Sequence, residues 1–178
     1  MTIKRPHAWL MALPVAILLA GGAIAALVVR VAQATPPNSG WVTEKPIPVA
    51  YFESILVRAL TDSEGENPKV KITATEPTDV YMAHNTVAPG GNSGWHTHPG
   101  PSVVVIKTGT ATVYDADGSS CPATVYPAGS GFVDAGGGHV HLVANLGTAP
   151  LETYAFQIIP HGELRVISEP RPASCPML

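Results

Sequence analysis

The stretch GWHTHPGPSVVVIKTG, residues 94–109, decides the fold of this chain. Two histidines one residue apart, His96 and His98, precede a proline and a nearly unbroken apolar run. Because residues i and i+2 of a strand point to the same face, the two imidazoles project together, about 7 Å apart at Cα. That arrangement suits two ligands of one metal ion, and imidazole suits Zn, Cu, Fe or Ni.

The sequence around this stretch predicts an all-β domain. Short apolar segments end at Gly, Pro, Asn or Asp, and the chain of 178 residues contains 17 Gly and 18 Pro. Strand after strand at short spacing is typical of a sandwich or barrel. Residues 51–62 fit a short helix about as well as a strand and are assigned as strand, and residues 61–68 look like an exposed loop. The other predicted strands are 70–74, 79–88, 102–108, 110–115, 123–126, 131–134, 139–145 and 151–159.

The strand at residues 102–108 is apolar on both of its faces. Val103 and Val105 lie on one side, and Val104 and Ile106 lie on the other. One face of such a strand meets the core, while the other needs a second layer or a partner subunit. We therefore expect a homodimer.

A second His-x-His pair, His139 and His141, follows a glycine run. A lone pair of this kind is usually an ordinary surface or core feature. Two pairs in one small β-domain favour a metal site, since they hold four of the chain's 7 histidines. If either His139 or His141 faces the same cavity as His96 and His98, the site has three or four nitrogen ligands.

The spacing around the first pair resembles the first motif of the cupin superfamily. That motif is a glycine, five residues, His-x-His, three residues, glutamate, six residues and glycine. Gly90, His96, His98 and Gly109 keep every spacing. The resemblance covers roughly residues 70–160 and implies a small single-domain cupin, a jelly-roll barrel built as a double-stranded β-helix.

The second cupin motif is matched more loosely. Residues 127–129 supply its Pro-x-Gly, and His141 with Asn145 supplies its histidine and asparagine. Cys121 stands at the leading glycine position, and the gap from Gly129 to His141 is longer than the motif has. The resemblance implies that Asn145 closes a turn or the end of a strand.

The resemblance also implies a ligand set. Its metal ligands are His96, His98 and His141, and His139 becomes a residue at the rim or behind a ligand. The implied cofactor is a divalent transition metal (Fe, Mn, Zn, Ni or Cu). Because the ligands must be neutral, we expect metal to leave as the pH falls through the histidine range near 6.5.

One position departs from the motif. Ser102 stands where most cupins have a glutamate ligand. Three neutral histidines leave the metal its full charge and more open positions for water or substrate. Asp134 is the nearest replacement by sequence, although a carboxylate before a glycine run is typical of a turn.

The N-terminus predicts export. Lys4 and Arg5 precede an apolar run, and a small-residue pattern ends at Ala34, which indicates a signal peptide over residues 1–34. The run at 8–29 is long enough to span a bilayer, so an uncleaved anchor helix is the alternative. Residues 35–48 are predicted to be a Pro-rich linker and residues 49–178 the cupin domain.

Charge and cysteine content agree with an extracytoplasmic domain. Without residues 1–34 the chain loses three of its 10 basic residues but none of its 13 acidic ones, leaving a formal charge of about −6. Nothing supplies the basic face that nucleic acid requires. In an exported protein Cys121 and Cys175 are expected to pair rather than remain two unrelated thiols, which would stabilise the fold by about 4 kcal/mol.

Three functions fit these observations. The first is an exported metalloprotein that binds a small oxygen-bearing molecule, and as an enzyme it would be a dioxygenase-like oxidoreductase or an isomerase. The second is a non-catalytic small-molecule binding module. The third is a structural β-domain without metal. Any contact with a membrane is expected only through an uncleaved N-terminal segment.

Overall fold

The computed structural model describes residues 37–38, 40–59, 70–116 and 118–178. These residues form strands and turns, with no helix among them, and none of them forms a helix that could cross a membrane. The predicted signal peptide or anchor and the predicted loop at 61–68 lie outside the described residues. The strands are β1 (Trp41–Glu44), β2 (Ala50–Phe52), β3 (Ile55–Ala59), β4 (Val70–Ala74), β5 (Thr78–Val87), β6 (His96–Thr97), β7 (Ser102–Thr108), β8 (Thr110–Asp115), β9 (Ala123–Pro127), β10 (Gly131–Asp134), β11 (His141–Ala144), β12 (Leu151–Pro160) and β13 (Ile167–Ser168).

Two antiparallel sheets build the domain. The first has the order β1-β5-β12-β7-β10, with β2 also paired to β5, and the second has the order β13-β6-β11-β8-β9. Strands β3 and β4 form a separate hairpin. Buried side chains from both sheets pack in one core cluster: Ala83, Val87, Val104, Ile106, Ala111, Val113, Val143, Leu151 and Ala155. The all-β class and the barrel architecture predicted from the sequence are confirmed for this part of the chain.

Strand β7 shows how the alternation of side chains sets the core. Val104 and Ile106 are buried in the core cluster, whereas Val103 and Val105 are 46% and 50% exposed. Gly109 follows directly and turns the chain into β8 with a φ of 74°. A Cβ at this glycine would lie 2.7 Å from the carbonyl oxygen of Pro150, so both the backbone angle and the close approach require glycine here.

The predicted strands are present, with ends that shift by at most two residues. The segment assigned as strand at 51–62 contains the end of β2 and all of β3, and its last three residues are not described. Strand β1 lies inside the predicted linker at 35–48 and pairs with β5. The sheet therefore begins ahead of residue 49, the predicted start of the domain.

A second, smaller core lies beside the disulfide. Cys121 and Cys175 are bonded, as predicted, across a sequence separation of 54 residues. Cys175 is buried with Trp95, Leu142 and Ala144. The Pro-rich C-terminal segment is thereby held against the strands that carry the histidines.

Candidate metal centre

Three of the histidines come together on the second sheet. His96 begins β6, His98 follows two residues later, and His141 begins β11, where it lies directly opposite His96 in the antiparallel register. All three are buried. Their ring centroids lie 4.3 to 5.4 Å apart, and one ring nitrogen from each falls within 4.8 Å of the others. The arrangement is a three-nitrogen cluster of the kind that binds a transition metal.

Backbone carbonyls orient two of the rings. Nδ1 of His96 donates a hydrogen bond to the carbonyl of Gly94 at 3.0 Å. Nδ1 of His98 donates to the carbonyl of Arg165 at 2.6 Å. A ring that donates through Nδ1 keeps the lone pair on Nε2, which is how protein partners fix the tautomer of a metal-binding histidine.

Burial keeps the histidine cluster neutral. It lowers the pKa of His141 to about 3, helped by the nearby rings of His98 and His139. Burial and the neighbouring histidines also hold the pKa of His96 well below its ordinary value, and burial lowers the pKa of His98. A metal needs neutral imidazole, so we now expect metal release at a lower pH than the 6.5 of an ordinary histidine.

The histidines face a cavity of about 320 Å³ between the two sheets. Its wall on the first sheet carries a chain of hydrogen-bonded polar side chains among apolar ones. The indole Nε1 of Trp41 donates to Thr43 Oγ1, which donates to Asn85 Oδ1, and Asn85 Nδ2 donates to Thr153 Oγ1. The residues that line the cavity and carry polar or charged side chains are Trp41, Thr43, Asn85, Ser93, His96, His98, Ser102, Asp134, His141, Thr153, Gln157, Arg165 and Ser168.

A carboxylate does lie beside the cluster, but on a different strand from the one the cupin motif uses. Ser102 is buried, and its cross-strand partner is Asp134, the last residue of β10. Asp134 is 3% exposed and lines the same cavity. It belongs to a strand and a buried wall, which corrects the prediction of a turn residue.

Asp134 contacts two histidines. Its Oδ1 accepts a hydrogen bond from Nδ1 of His139 at 2.9 Å and lies 3.9 Å from Nδ1 of His141. Its Oδ2 and Nδ1 of His141 are buried and have no hydrogen-bond partner. Buried polar atoms are nearly always satisfied, so an unpartnered carboxylate oxygen and an unpartnered imidazole nitrogen beside the three-histidine cluster fit a nearby divalent cation.

His139 lies just before β11, at the edge of the site. Its side chain is 40% exposed, and its ring stacks on that of His141 with centroids 5.8 Å apart. The structure thus places His139 behind a candidate ligand and in contact with solvent. It also joins Asp134 and His141 in a second group whose ligand atoms lie within 4.8 Å of one another.

The remaining histidines with described positions lie elsewhere. His84 stacks on Tyr154 and contacts Glu152 at 3.0 Å, and it does not line the cavity. His161 pairs with Asp79 at 2.9 Å. Asn145 is fully buried and bonds the turn that follows β11, since its Nδ2 donates to two carbonyls and its Oδ1 accepts from Gly147.

Gln157 and Arg165 also line the cavity, although neither was predicted as a site residue. Gln157 points inward from β12, where the inward positions are otherwise mostly apolar, so a polar residue in that alternation was a usable signal. Arg165 lies in a turn-rich segment between β12 and β13, and no sequence pattern pointed to it. Its Nη1 donates to Gln157 Oε1 at 2.8 Å.

Comparisons with solved structures find partial matches to this chain. Matched solved structures include an oxalate decarboxylase–formate complex from Lactobacillus farciminis (23% identity, TM-score 0.44, 50% of this chain and 26% of that chain). An oxalate oxidase with the substrate analogue glycolate matches at 25% identity and a TM-score of 0.41, over 44% and 41% of the two chains. Bacillus subtilis oxalate decarboxylase, described with Mn(II) centres, matches at 24% identity and a TM-score of 0.42, over 50% and 23%.

All three TM-scores lie below 0.5, so these matches carry no argument about the family of this chain. The chain spans less than half the length of each of the three. No family model matches the chain, and no curated protein does. The strand topology and the histidine cluster are therefore the main evidence for the function of this chain.

Proposed function

We propose that this chain is an exported cupin metalloprotein. His96, His98 and His141 bind a divalent transition metal, and a small oxygen-bearing molecule binds beside it in the cavity. The observation that supports this function is the convergence of three buried, neutral imidazoles, two of them oriented by backbone carbonyls.

The residues of the cavity have distinct tasks in this proposal. A bound divalent metal would act as a Lewis acid toward an oxygen atom of the ligand. The rings are held by the carbonyls of Gly94 and Arg165, so the ligand nitrogens are pre-positioned. The hydrogen-bonded wall of Thr43, Asn85 and Thr153 presents fixed polar atoms that orient a small molecule. Turnover would make the protein a dioxygenase-like oxidoreductase or an isomerase, and binding without turnover would make it a capture module.

A metal competition experiment tests the proposal. The purified protein, His96→Ala, His141→Ala and the control His161→Ala would be titrated with Zn²⁺ against a chromophoric chelator. We expect one ion per chain, and more than about a hundredfold weaker binding in the two cavity variants, since even the loss of a supporting partner costs 10- to 100-fold. The control should bind as the parent does, because His161 pairs with Asp79 outside the cavity. Equal affinity in all four proteins would refute the metal site.

We further propose that the domain acts outside the cytoplasm. The disulfide is compatible with that location, since such bonds persist in oxidising compartments. N-terminal sequencing of the protein from its native cell is the test. A first residue of Thr35 supports a cleaved signal peptide, and an intact residue 1 in the membrane fraction supports the anchor at residues 8–29.

We also propose a homodimer formed through the outer face of the first sheet. Val103, Val105, Val133 and Phe156 are 37 to 68% exposed there. They lie on three adjacent strands, with Val103 directly opposite both Val133 and Phe156. A contiguous apolar surface of this kind is typical of an interface.

A further inference from the structure

The guanidinium group of Arg165 lines the cavity, and no carboxylate among the described residues is paired with it. Arg165 is half-buried, and the hydrogen bond found for its side chain among the described residues is the one to the neutral amide of Gln157. No acidic side chain in this part of the chain pairs with it. A guanidinium has five N–H donors, so most of its hydrogen-bonding capacity is available to a ligand.

The backbone fixes Arg165 next to the histidines. Its carbonyl accepts the hydrogen bond from Nδ1 of His98. Two residues later, strand β13 pairs with β6, with Ile167 opposite Thr97 and Ser168 opposite His96. The segment that carries the guanidinium is therefore the same segment that covers the metal ligands.

The charge of the cavity favours an anion. Asp134 and Arg165 are the lining residues with formal charges, and they cancel. The histidines are neutral, so a divalent metal would leave the enclosed space with a net positive charge equal to its own. Buried charge is costly unless it is compensated, and an anionic ligand would supply the compensation.

We propose that the ligand of this site is a small carboxylate, held between the metal and the guanidinium of Arg165. This inference rests on the proposed metal-binding function and adds the class of ligand. The planar fork of arginine matches the two oxygens of a carboxylate. The cavity of about 320 Å³ limits the ligand to a small molecule.

Paired probes that differ in charge test the proposal. Malonate and its uncharged analogue malonamide would be titrated calorimetrically into the Zn²⁺-loaded protein, Arg165→Gln and the control Arg58→Gln. Arg58 lies exposed on β3 and outside the cavity. We expect malonate to bind to the parent at least about tenfold more tightly than malonamide. We expect Arg165→Gln to weaken the binding of malonate by about 10- to 100-fold and to leave the binding of malonamide unchanged.

Additional measurements distinguish a failure of the metal site from a failure of the carboxylate proposal. The zinc content is measured first and after each titration: a protein that holds no zinc refutes the metal site and this inference with it. Zinc binding without a preference for malonate, or equal malonate binding in Arg165→Gln, overturns the inference and leaves the metal site standing. A weaker zinc affinity in Arg165→Gln would also overturn it, because the backbone carbonyl that orients His98 is retained. Inorganic phosphate is the third probe, and tighter binding of phosphate than of malonate would overturn the carboxylate class.

Discussion

Two neighbouring cross-strand rows of the first sheet reverse the usual distribution of polar and apolar side chains. Asp134, Ser102 and Gln157 lie side by side on β10, β7 and β12, and all three are buried. One residue away, Val133, Val103 and Phe156 form the adjacent row on the same strands, and all three are exposed. We call these the polar row and the apolar row.

Neither row is arranged for maximal stability of the single chain. A buried row of a carboxylate, a hydroxyl and an amide contributes less to folding than an apolar row would, because each group must find a partner. An exposed apolar row gains nothing from folding of the single chain. Under the proposed function both rows acquire a physical role when a second component is present: a metal with its ligand for the polar row, and a second subunit for the apolar row.

Removing the charge from the polar row should have the largest effect. We expect Asp134→Asn to lower Zn²⁺ affinity by about 10- to 100-fold, since partners that support a metal ligand contribute that much. The carboxylate contacts both His139 and His141, and an amide keeps its shape without its charge. Chelator competition measures the loss, and an unchanged affinity would show that Asp134 has no part in the metal site.

A second variant places a carboxylate at position 102, where the first cupin motif has its glutamate. Side chains opposite each other on paired strands lie about 5 Å apart, so Ser102→Glu places a carboxylate next to the site of the original one. We expect the double variant Asp134→Asn, Ser102→Glu to regain most of the lost affinity. If the double variant binds Zn²⁺ as weakly as Asp134→Asn does, the strand that carries the carboxylate matters for metal affinity, and the charge alone is not sufficient.

Acid should weaken the metal-free fold through the histidines that face the polar row. The pKa of His141 is about 3 in the folded chain and near 6.5 when unfolded. Below pH 6.5 His141 binds a proton in the unfolded state but stays neutral in the folded state. The free energy of unfolding therefore decreases as the pH falls. We expect His141 alone to cost about 2 kcal/mol between pH 6.5 and 5. Urea unfolding at both pH values measures this, and His141→Gln should show a shallower pH dependence than the parent; equal slopes would contradict the explanation.

Charging the apolar row should have the smallest effect on the fold and a clear effect on assembly. We expect Val103→Lys to change the free energy of unfolding of the subunit by less than about 0.5 kcal/mol, as at other surface positions. Light scattering at micromolar concentration should report a dimer for the parent and a monomer for this variant. Thr86→Lys is the matched control on another exposed position of the first sheet. A monomeric parent protein would refute the interface.

The sequence alone was sufficient for most of the fold. Strand β7 has the predicted bounds because Pro101 and Gly109 interrupt the apolar run at both ends. The convergence of His96, His98 and His141 could be predicted because their spacing is local or fixed by a motif. Strands β1 and β13 were missed, since four residues beside a Pro-rich segment and two residues in a turn-rich tail carry too little periodicity.

The parts of the site that the sequence left open or missed depend on pairing between distant strands. Asp134 reaches the cavity because β10 pairs with β7 in a register that sets it opposite Ser102. A shift of one residue would have exposed it and buried Val133 instead. Nothing in a single sequence specifies which strands pair, so the carboxylate was interpreted from its local context, a glycine run. Arg165 likewise enters the site through the pairing of β13 with β6.

The disulfide would make the proposed metal site depend on redox conditions. The C-terminal segment both orients His98 and forms the edge of the second sheet, and the bond from Cys175 to Cys121 fastens the end of that segment to the domain. Under reducing conditions this fastening is lost, and one wall of the cavity is then held by noncovalent contacts alone. We expect the site to keep its full affinity for metal only where thiols are oxidised, so the environment of the protein would set its capacity to hold a ligand.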